Sequence, residues 1–306
     1  MSEQTEIYTA AAEVGAVRKR RTGFERFVLL MKSAPPSAWF GMIVVTLYVL
    51  VAVFADVIAP YGEAQIHPTP FAPWSEEFVF GTDQIGRDVL TRLIYGARNT
   101  MGIALATTFL SFLIGGGLGL VAAINRSWLD QALSRFVDVL MAIPSLIFAL
   151  MLLSIFGSTV TSLIVIIAVL DSTRVFRLTR AVAVNVAVMD YVEAAKLRGE
   201  GLGWIMRREI LPNIMPPLVA EFGLRFCFVF LTIAALSFLG VGIQPPTADW
   251  GSMVRANASL IQFAQYDITA AITPLLPAAA IALLTIAVNF IVDWFLHKTS
   301  GLRDDH

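Results

Sequence analysis

Uninterrupted apolar runs long enough to cross a lipid bilayer dominate this chain and leave few folds open to it. A helix crossing the ~30 Å hydrocarbon layer needs about 20 predominantly apolar residues, and its backbone groups must be satisfied within the segment. The first run extends from Trp39 to Ala59 and closes at Pro60, with Asp56 near its exit. An uncharged stretch from Asn99 to Asn125 follows, then another from Val139 to Leu170. The latter is too long for one span. Phe156-Gly157-Ser158-Thr159 interrupts it as a turn, which predicts two helices at about 135–155 and 160–180. Runs at about 217–240 and 272–296 bring the expected total to six. The composition agrees, with 57% hydrophobic and 15% charged residues, where soluble domains carry roughly 25% charged. The expected fold class is all-α, a polytopic membrane protein with six transmembrane helices.

The same counts exclude other classes. A formal charge of −1 offers no global basic field for nucleic acid. Cys227 is the single cysteine, and His67, His297 and His306 sit in no metal-ligand spacing, so neither a disulfide framework nor a metal site is expected. The run at Trp39 begins far from the N-terminus with no small-residue cleavage site behind it, which is unlike a signal peptide; residues 1–17 read as a polar tail.

Six spans put both termini on one side, and basic residues choose the side. Arg18, Lys19, Arg20, Arg21, Arg26 and Lys32 precede the first span, and Arg126 and Arg135 follow the second. Arg174, Arg177, Arg180, Lys196, Arg198, Arg207 and Arg208 follow the fourth, and Lys298 and Arg303 close the chain. The opposite side receives Arg87, Arg92, Arg98 and Arg255, while Arg225 lies within the fifth helix. Both termini are therefore expected in the cytoplasm. The expected organisation is a cytoplasmic tail 1–38, a first transmembrane helix 39–59, and an outer, periplasmic segment 60–98. A core 99–297 then carries five transmembrane helices and a cytoplasmic loop at about 181–216, ahead of a cytoplasmic tail 298–306.

That loop is the most informative stretch. Asp190 and Glu193 have the spacing of a capping box opening a short helix from Tyr191 to Arg198. Gly199, Gly201 and Gly203 predict a turn with unusual backbone angles, and a second short helix is expected to stop before Pro212. Ala194 and Ala195 predict one surface almost free of side-chain bulk, suited to a groove on another protein.

Here the sequence resembles a known family. Glu193-Ala194-Ala195, then Gly199 and later Leu211-Pro212, match the EAA loop of bacterial binding-protein-dependent ABC importer permeases. Phe80-Gly81-Thr82-Asp83, Gly86-Arg87-Asp88 and Tyr95-Gly96-Ala97-Arg98 resemble its dipeptide, oligopeptide and nickel branch, and within that the C-type subunit. Arg135, Asp138, Pro144, Trp250-Gly251, Asn289 and Asp293 fit the same branch. The likeness covers roughly residues 25 to 303. Glu209, Asp171 and Val292 depart from it, standing where an aliphatic residue, an aromatic and a glycine are usual.

The resemblance implies a type I ABC importer permease fold and a translocation subunit with no chemistry of its own. No Gly-x-x-x-x-Gly-Lys-Ser/Thr loop is present, so ATP and Mg are expected on partner ATPases and no cofactor on this chain. The implied partners are a homologous B-type permease subunit, two cytoplasmic ABC ATPases, a periplasmic substrate-binding protein and membrane lipid. Docking is expected at Asp190, Glu193, Ala194, Ala195, Gly199, Leu211 and Pro212. The implied location is the bacterial inner membrane. Peptides are the implied cargo, with nickel complexes, opines and oligosaccharides as alternatives.

Other residues carry local expectations. Glu221 and Arg225, four apart in the fifth helix, predict an ion pair that is either structural or part of a pathway. Asp138 is expected to pair with Arg135, and Asp171 with Arg174. Gly115, Gly116, Gly117 and Gly119 contain a Gly-x-x-x-Gly spacing, which predicts close helix packing. Asp83 is expected to cap a helix with Arg87 as partner, and Trp39, Trp74 and Trp250 to anchor in the headgroup belt. A secondary transporter would show broken helices and inverted repeats, and an intramembrane enzyme a nucleophile and base at membrane depth. Neither pattern is evident in the sequence.

Overall fold

The computed structural model describes residues 31–125 and 128–299. The basic cluster from Arg18 to Arg26, Arg126 and the tail beyond residue 299 lie outside the described residues. The chain divides after Pro36, and the larger unit runs from Ser37 to His306. Among its described residues the regular elements are helices, with one isolated antiparallel bridge between Thr82 and Asp88 in the loop that precedes Val89.

The first apolar run forms α1 (Pro36–Val53) and a short α2 (Ala55–Ile58). The second forms α3 (Val89–Asn125), beginning ten residues before the expected Asn99. Its cap differs from expectation. The Thr91 amide donates to Asp88 Oδ2 at 2.7 Å, so Asp88 caps the helix, while Asp83 holds the preceding turn and the Arg87 side chain at 2.7 Å.

The expected helix at 135–155 is broken. α4 (Trp128–Ala142) and α5 (Ser145–Phe156) meet at 90°, because Pro144 removes an amide donor and disfavours helix at Ile143. The turn at Gly157 stands as expected, with φ +84, and the Thr159 hydroxyl caps α6 (Val160–Val186) by accepting from the Ser162 amide.

Beyond the loop helix α7 (Asp190–Leu197), α8 (Leu202–Ile205) runs through a π-turn (Met206–Ile210) into α9 (Leu211–Phe238). The second short helix therefore does not stop before Pro212. Pro212 sits in the first turn of α9, where its missing amide costs little. α10 (Trp250–Asn257), a 3-10 turn (Ala258–Phe263), α11 (Ile268–Ile272) and α12 (Leu275–Thr299) complete the order.

Four helical stretches are long and apolar enough to cross a membrane: Pro36–Val53, Val89–Asn125, Leu202–Phe238 and Ile268–Lys298. The bent pair α4–α5 is a fifth candidate. α6 has the length, but Asp171, Arg174, Arg177 and Arg180 lie along it.

α3 and α6 form the main helix pair and run in the same direction. A Cβ at Gly115 would collide with the Ser172 carbonyl, and one at Gly119 would lie 2.8 Å from the Phe176 carbonyl. Gly116 and Gly117 face open space. The four-residue glycine spacing thus lets the two backbones touch, as the sequence predicts.

Two loop regions close one end of this unit together. Glu63 Oε1 accepts from the Ala248 amide and from Asn99 Nδ2, and Arg92 Nη1 donates to the carbonyls of Glu63 and Pro246. Trp250 does not anchor at a surface. It is buried, donates from Nε1 to the Leu93 carbonyl at 2.9 Å, and fills the notch left by Gly96. Trp74 is half-buried and donates to Thr273 Oγ1, whereas Trp39 is exposed. α9, with 28 residues, carries the chain about 42 Å from the loop at α7 to this end.

Candidate functional site

The loop at the start of α9 has two distinct faces. Val192 and Ala195 are fully buried, packed with Ile205, Ile210 and Ile214 against Ala123, Ala183 and Ala187 at the ends of α3 and α6. The opposite face of α7 exposes Glu193, Ala194 and Leu197. Ala194 and Ala195 therefore do not share a surface. Neighbouring helical residues point about 100° apart, so Ala195 anchors the helix from behind and only Ala194 faces outward. Leu197 is 83% exposed, with Val188, Tyr191, Leu202 and Trp204 exposed nearby.

The ends of α7 are built differently from one another. Met189 is the N-cap and makes no side-chain cap bond, so the expected capping box is absent. Asp190 and Glu193 lie in the first turn, where carboxylates favour the positive end of the helix dipole. At the other end the Gly199 amide donates to the Lys196 carbonyl at 3.0 Å and the Glu200 amide to the Ala195 carbonyl at 3.2 Å. This pair of bonds is a Schellman stop, which needs the left-handed φ of +81 found at Gly199. Gly201 has an ordinary φ of −69, so the special angle is confined to Gly199 within this turn. Leu211 is half-buried against the same apolar cluster, and Pro212 is exposed.

A second group of charges lies between α3, α6 and α9. Arg225 Nε is 2.7 Å from Glu221 Oε1, as the spacing predicts, and Arg225 Nη1 is 3.5 Å from Asp171 Oδ1. Ser111 Oγ donates to Asp171 Oδ2 at 3.2 Å, and the Arg225 guanidinium lies 4.5 Å from the Phe228 ring centre. Asp171 is thus held by Arg225 and Ser111 and not by Arg174, whose guanidinium stacks toward Phe228 at 6.0 Å. Among the described residues Arg135 and Asp138 form no ion pair; the carboxylate used on α4 is Asp130, held by Arg180 Nη2 at 2.7 Å. The Glu221–Arg225–Asp171 chain ties two helices together in the interior. The feature that looks outward is the apolar rim formed by Leu197 at the end of α7 with Leu202 and Trp204 on α8. It went unmarked in the sequence because apolar residues there read as packing.

The described residues of this unit thus form a bundle of apolar helices whose loop helix α7 is packed from behind and exposed on its other face. The chain belongs to the family described as binding-protein-dependent transport system inner membrane component, which matches residues 115–298, and residues 35–73 match the N-terminal transmembrane domain of oligopeptide transport permease C. It is therefore a multi-pass inner membrane protein, a transport component.

Among its relatives, the di/tripeptide transport system permease protein DppC of Pseudomonas aeruginosa (strain UCBPP-PA14) is 35% identical over 271 residues, covering 86% of this chain and 85% of that one. The dipeptide transport system permease protein DppC of Escherichia coli (strain K12) is 37% identical over 271 residues, 86% of each chain. A crystal structure of an amino acid ABC transporter with histidines matches with a TM-score of 0.46 and 23% identity, over 68% of this chain and 94% of that one.

Proposed function

We propose that this chain is one of two membrane subunits of an ABC importer for dipeptides or oligopeptides. It acts as the C-type partner of a homologous B-type permease. In this reading α6 is a sixth crossing helix beside the five apolar candidates, its charges turned toward protein instead of lipid. Both termini are cytoplasmic, as the basic residues favour.

α7 docks on a cytoplasmic ATPase, with Asp190, Glu193, Ala194 and Leu197 at the contact, Ala195 and Gly199 fixing its pose, and Leu211 and Pro212 opening α9 behind it. ATP and Mg are bound and ATP is hydrolysed on the two ATPase subunits, with no cofactor on this chain. Closure of the ATPases pushes α7, and α9 transmits the motion to open the bundle outward. A periplasmic binding protein delivers the cargo. The peptide cargo is inferred from the names of the DppC relatives.

The observation that carries this reading is the division of α7 into a buried face and an exposed apolar rim. A helix anchored from behind by the ends of α3, α6 and α9 converts a push into movement of three helices, whereas a loose loop would absorb it. The test is copurification of the tagged chain from membranes, followed by ATP-dependent dipeptide uptake into vesicles. Leu197→Asp with Glu193→Arg is expected to release the ATPases and abolish uptake while the permease pair stays intact. Retention of ATPases by that variant would remove α7 as the docking element. Uptake without ATP by the isolated chain would replace the importer with a secondary transporter.

A further inference from the structure

α5 is hinged at both ends and lightly held between them. Of its 12 residues only Ala149 and Leu153 are buried, while Leu146, Ile147, Met151, Ile155 and Phe156 are exposed. One end is the 90° elbow at Pro144. The other is Gly157, where φ is +84 and an added Cβ would meet nothing within 4 Å. On its inner side a cavity of about 40 Å³ separates Ser145 and Ala149 from Asp171 and Arg174 on α6 and from Thr232 on α9. That space is large enough for water, so α5 is not packed tight there. Low burial between two hinges is the build of a segment that moves as a unit.

α4, on the far side of the elbow, is held along its whole length by α6. Arg180 grips Asp130 with two prongs, Nε on Oδ1 and Nη2 on Oδ2. Leu133 and Val137 pack with Ala122 of α3 and Phe176 of α6, and Arg177 Nη1 lies 3.6 Å from Met141 Sδ. Apolar packing tolerates sliding, whereas a two-pronged contact between a guanidinium and a carboxylate fixes distance and orientation together. Asp130 is 8% exposed, so water competes little for this pair.

The last part of α6 connects this clamp to the loop helix. Ala183 and Ala187 pack with Val192 and Ala195 on the buried face of α7, and Ala183 lies one turn beyond Arg180. A displacement of α7 therefore reaches α6 beside Arg180 and passes to the start of α4 through Asp130. At the elbow the two helices stand at 90°, so a rotation of α4 about its own axis swings α5 sideways.

We propose that Asp130 and Arg180 are positioning residues for transport, a clamp through which movement of α7 reaches α5, and that α5 is displaced when the passage for cargo opens. The proposal rests on the importer reading and adds to α9 a second route across the bundle.

The experiment uses the complete importer in vesicles with its ATPases and binding protein. Asp130→Ala, Arg180→Ala and the exchanged pair Asp130→Arg with Arg180→Asp are compared with wild type for dipeptide uptake per ATP hydrolysed. Met151→Cys reports the position of α5 through its rate of reaction with a thiol reagent, with and without ATP and vanadate; Cys227, the other thiol of this chain, is buried. Each alanine variant is expected to keep its partners and its ATPase rate. Uptake per ATP falls about tenfold, as loss of a coupling contact of ordinary strength predicts, and the ATP-dependent change at position 151 disappears. The exchanged pair recovers both. Asp130→Asn, which keeps the side-chain volume, replaces an alanine variant that fails to assemble. Wild-type uptake per ATP in the single variants overturns the clamp. So does a defect that the exchanged pair does not recover, or one in which position 151 still responds to ATP, because packing then accounts for it. Labelling indifferent to ATP in the otherwise wild-type chain removes α5 as the displaced segment. A wild-type complex whose uptake needs no ATP overturns the importer reading itself.

Discussion

Arg225 on α9 reaches Asp171 on α6 across 3.5 Å, and this contact joins two helices, as Arg180 and Asp130 join α6 to α4. Arg225 also holds Glu221 one turn earlier on its own helix. All three side chains are largely withdrawn from solvent. Breaking one partner of a buried ion pair strands the other charge, at about 3–5 kcal/mol, whereas replacing both with uncharged groups of similar size is close to neutral. Arg225→Met alone is therefore expected to lower the unfolding temperature in detergent sharply. Arg225→Met with Asp171→Asn and Glu221→Gln should recover most of the loss. Equal damage from the single and triple changes would mean that the guanidinium matters through its packing on Phe228.

The glycines of α3 give a contrast within one helical turn. Gly115 and Gly119 touch the α6 backbone, while Gly116 and Gly117 face open space. Gly115→Ala should cost about 1–3 kcal/mol as an overpacked contact. Gly116→Ala should be neutral or slightly stabilising, since alanine is the better helix former by about 1 kcal/mol. Thermal unfolding of the two variants side by side decides the point. Similar behaviour would show that α3 and α6 tolerate separation.

Asp249 predicts a pH effect outside the membrane-spanning helices. Burial raises its pKa above the ordinary 3.8, opposed by hydrogen bonds from Ser252 and Ser237 and by the charge of Arg92. The folded protein therefore holds this proton to higher pH than the unfolded chain does. The resulting stabilisation is full below 3.8 and is lost as pH rises through the folded value. Asp249→Asn keeps the cap on Ser252, because asparagine caps as well as aspartate. Its unfolding temperature is expected to exceed that of the wild type near neutral pH, with the gap closing on acidification. A gap that widens in acid would refute the assignment.

The parts of this fold that were legible in the sequence are those governed by local chemistry. Apolar runs marked the candidate spans, the stretch at Gly157 marked the turn before α6, and the four-residue glycine spacing marked a close helix contact, though not its partner. The break at Pro144 was equally local, but the apolar run around it obscured the consequence of Ile143 preceding a proline. The partner of Asp171 was not readable. It depends on how α6 and α9 align, and Arg225 lies 54 positions away while Arg174 lies three. Trp250 was misplaced for a related reason: its notch is made by Gly96 on another helix, and nothing near Trp250 announces it. At the candidate site, Gly199 was legible as a helix stop, whereas the capping box expected of Asp190 and Glu193 is replaced by an N-cap at Met189 without a side-chain bond. The opposed faces of Ala194 and Ala195 follow from helix geometry, but which one is buried depends on Ile205, Ile210 and Ile214 closing behind α7.

Gly199 separates the shape of α7 from its surface. A Cβ there meets nothing within 4 Å, so no substitution is excluded for lack of room, yet φ is +81. Gly199→Ala should cost roughly 1–2 kcal/mol, the penalty of the left-handed conformation for a residue with a Cβ. Asparagine tolerates that region better, so Gly199→Asn should fall between alanine and wild type. Proline, with φ fixed near −65°, cannot form the stop and should unravel the last turn. If α7 must keep its pose to engage an ATPase, ATP-dependent uptake falls in the order glycine, asparagine, alanine, proline, while the exposed residues of the rim remain unchanged. Uptake that follows this order ties coupling to the helix stop. Uptake indifferent to the series, with Leu197→Asp still inactive, would assign the coupling to the rim alone and leave the Schellman turn a purely local feature.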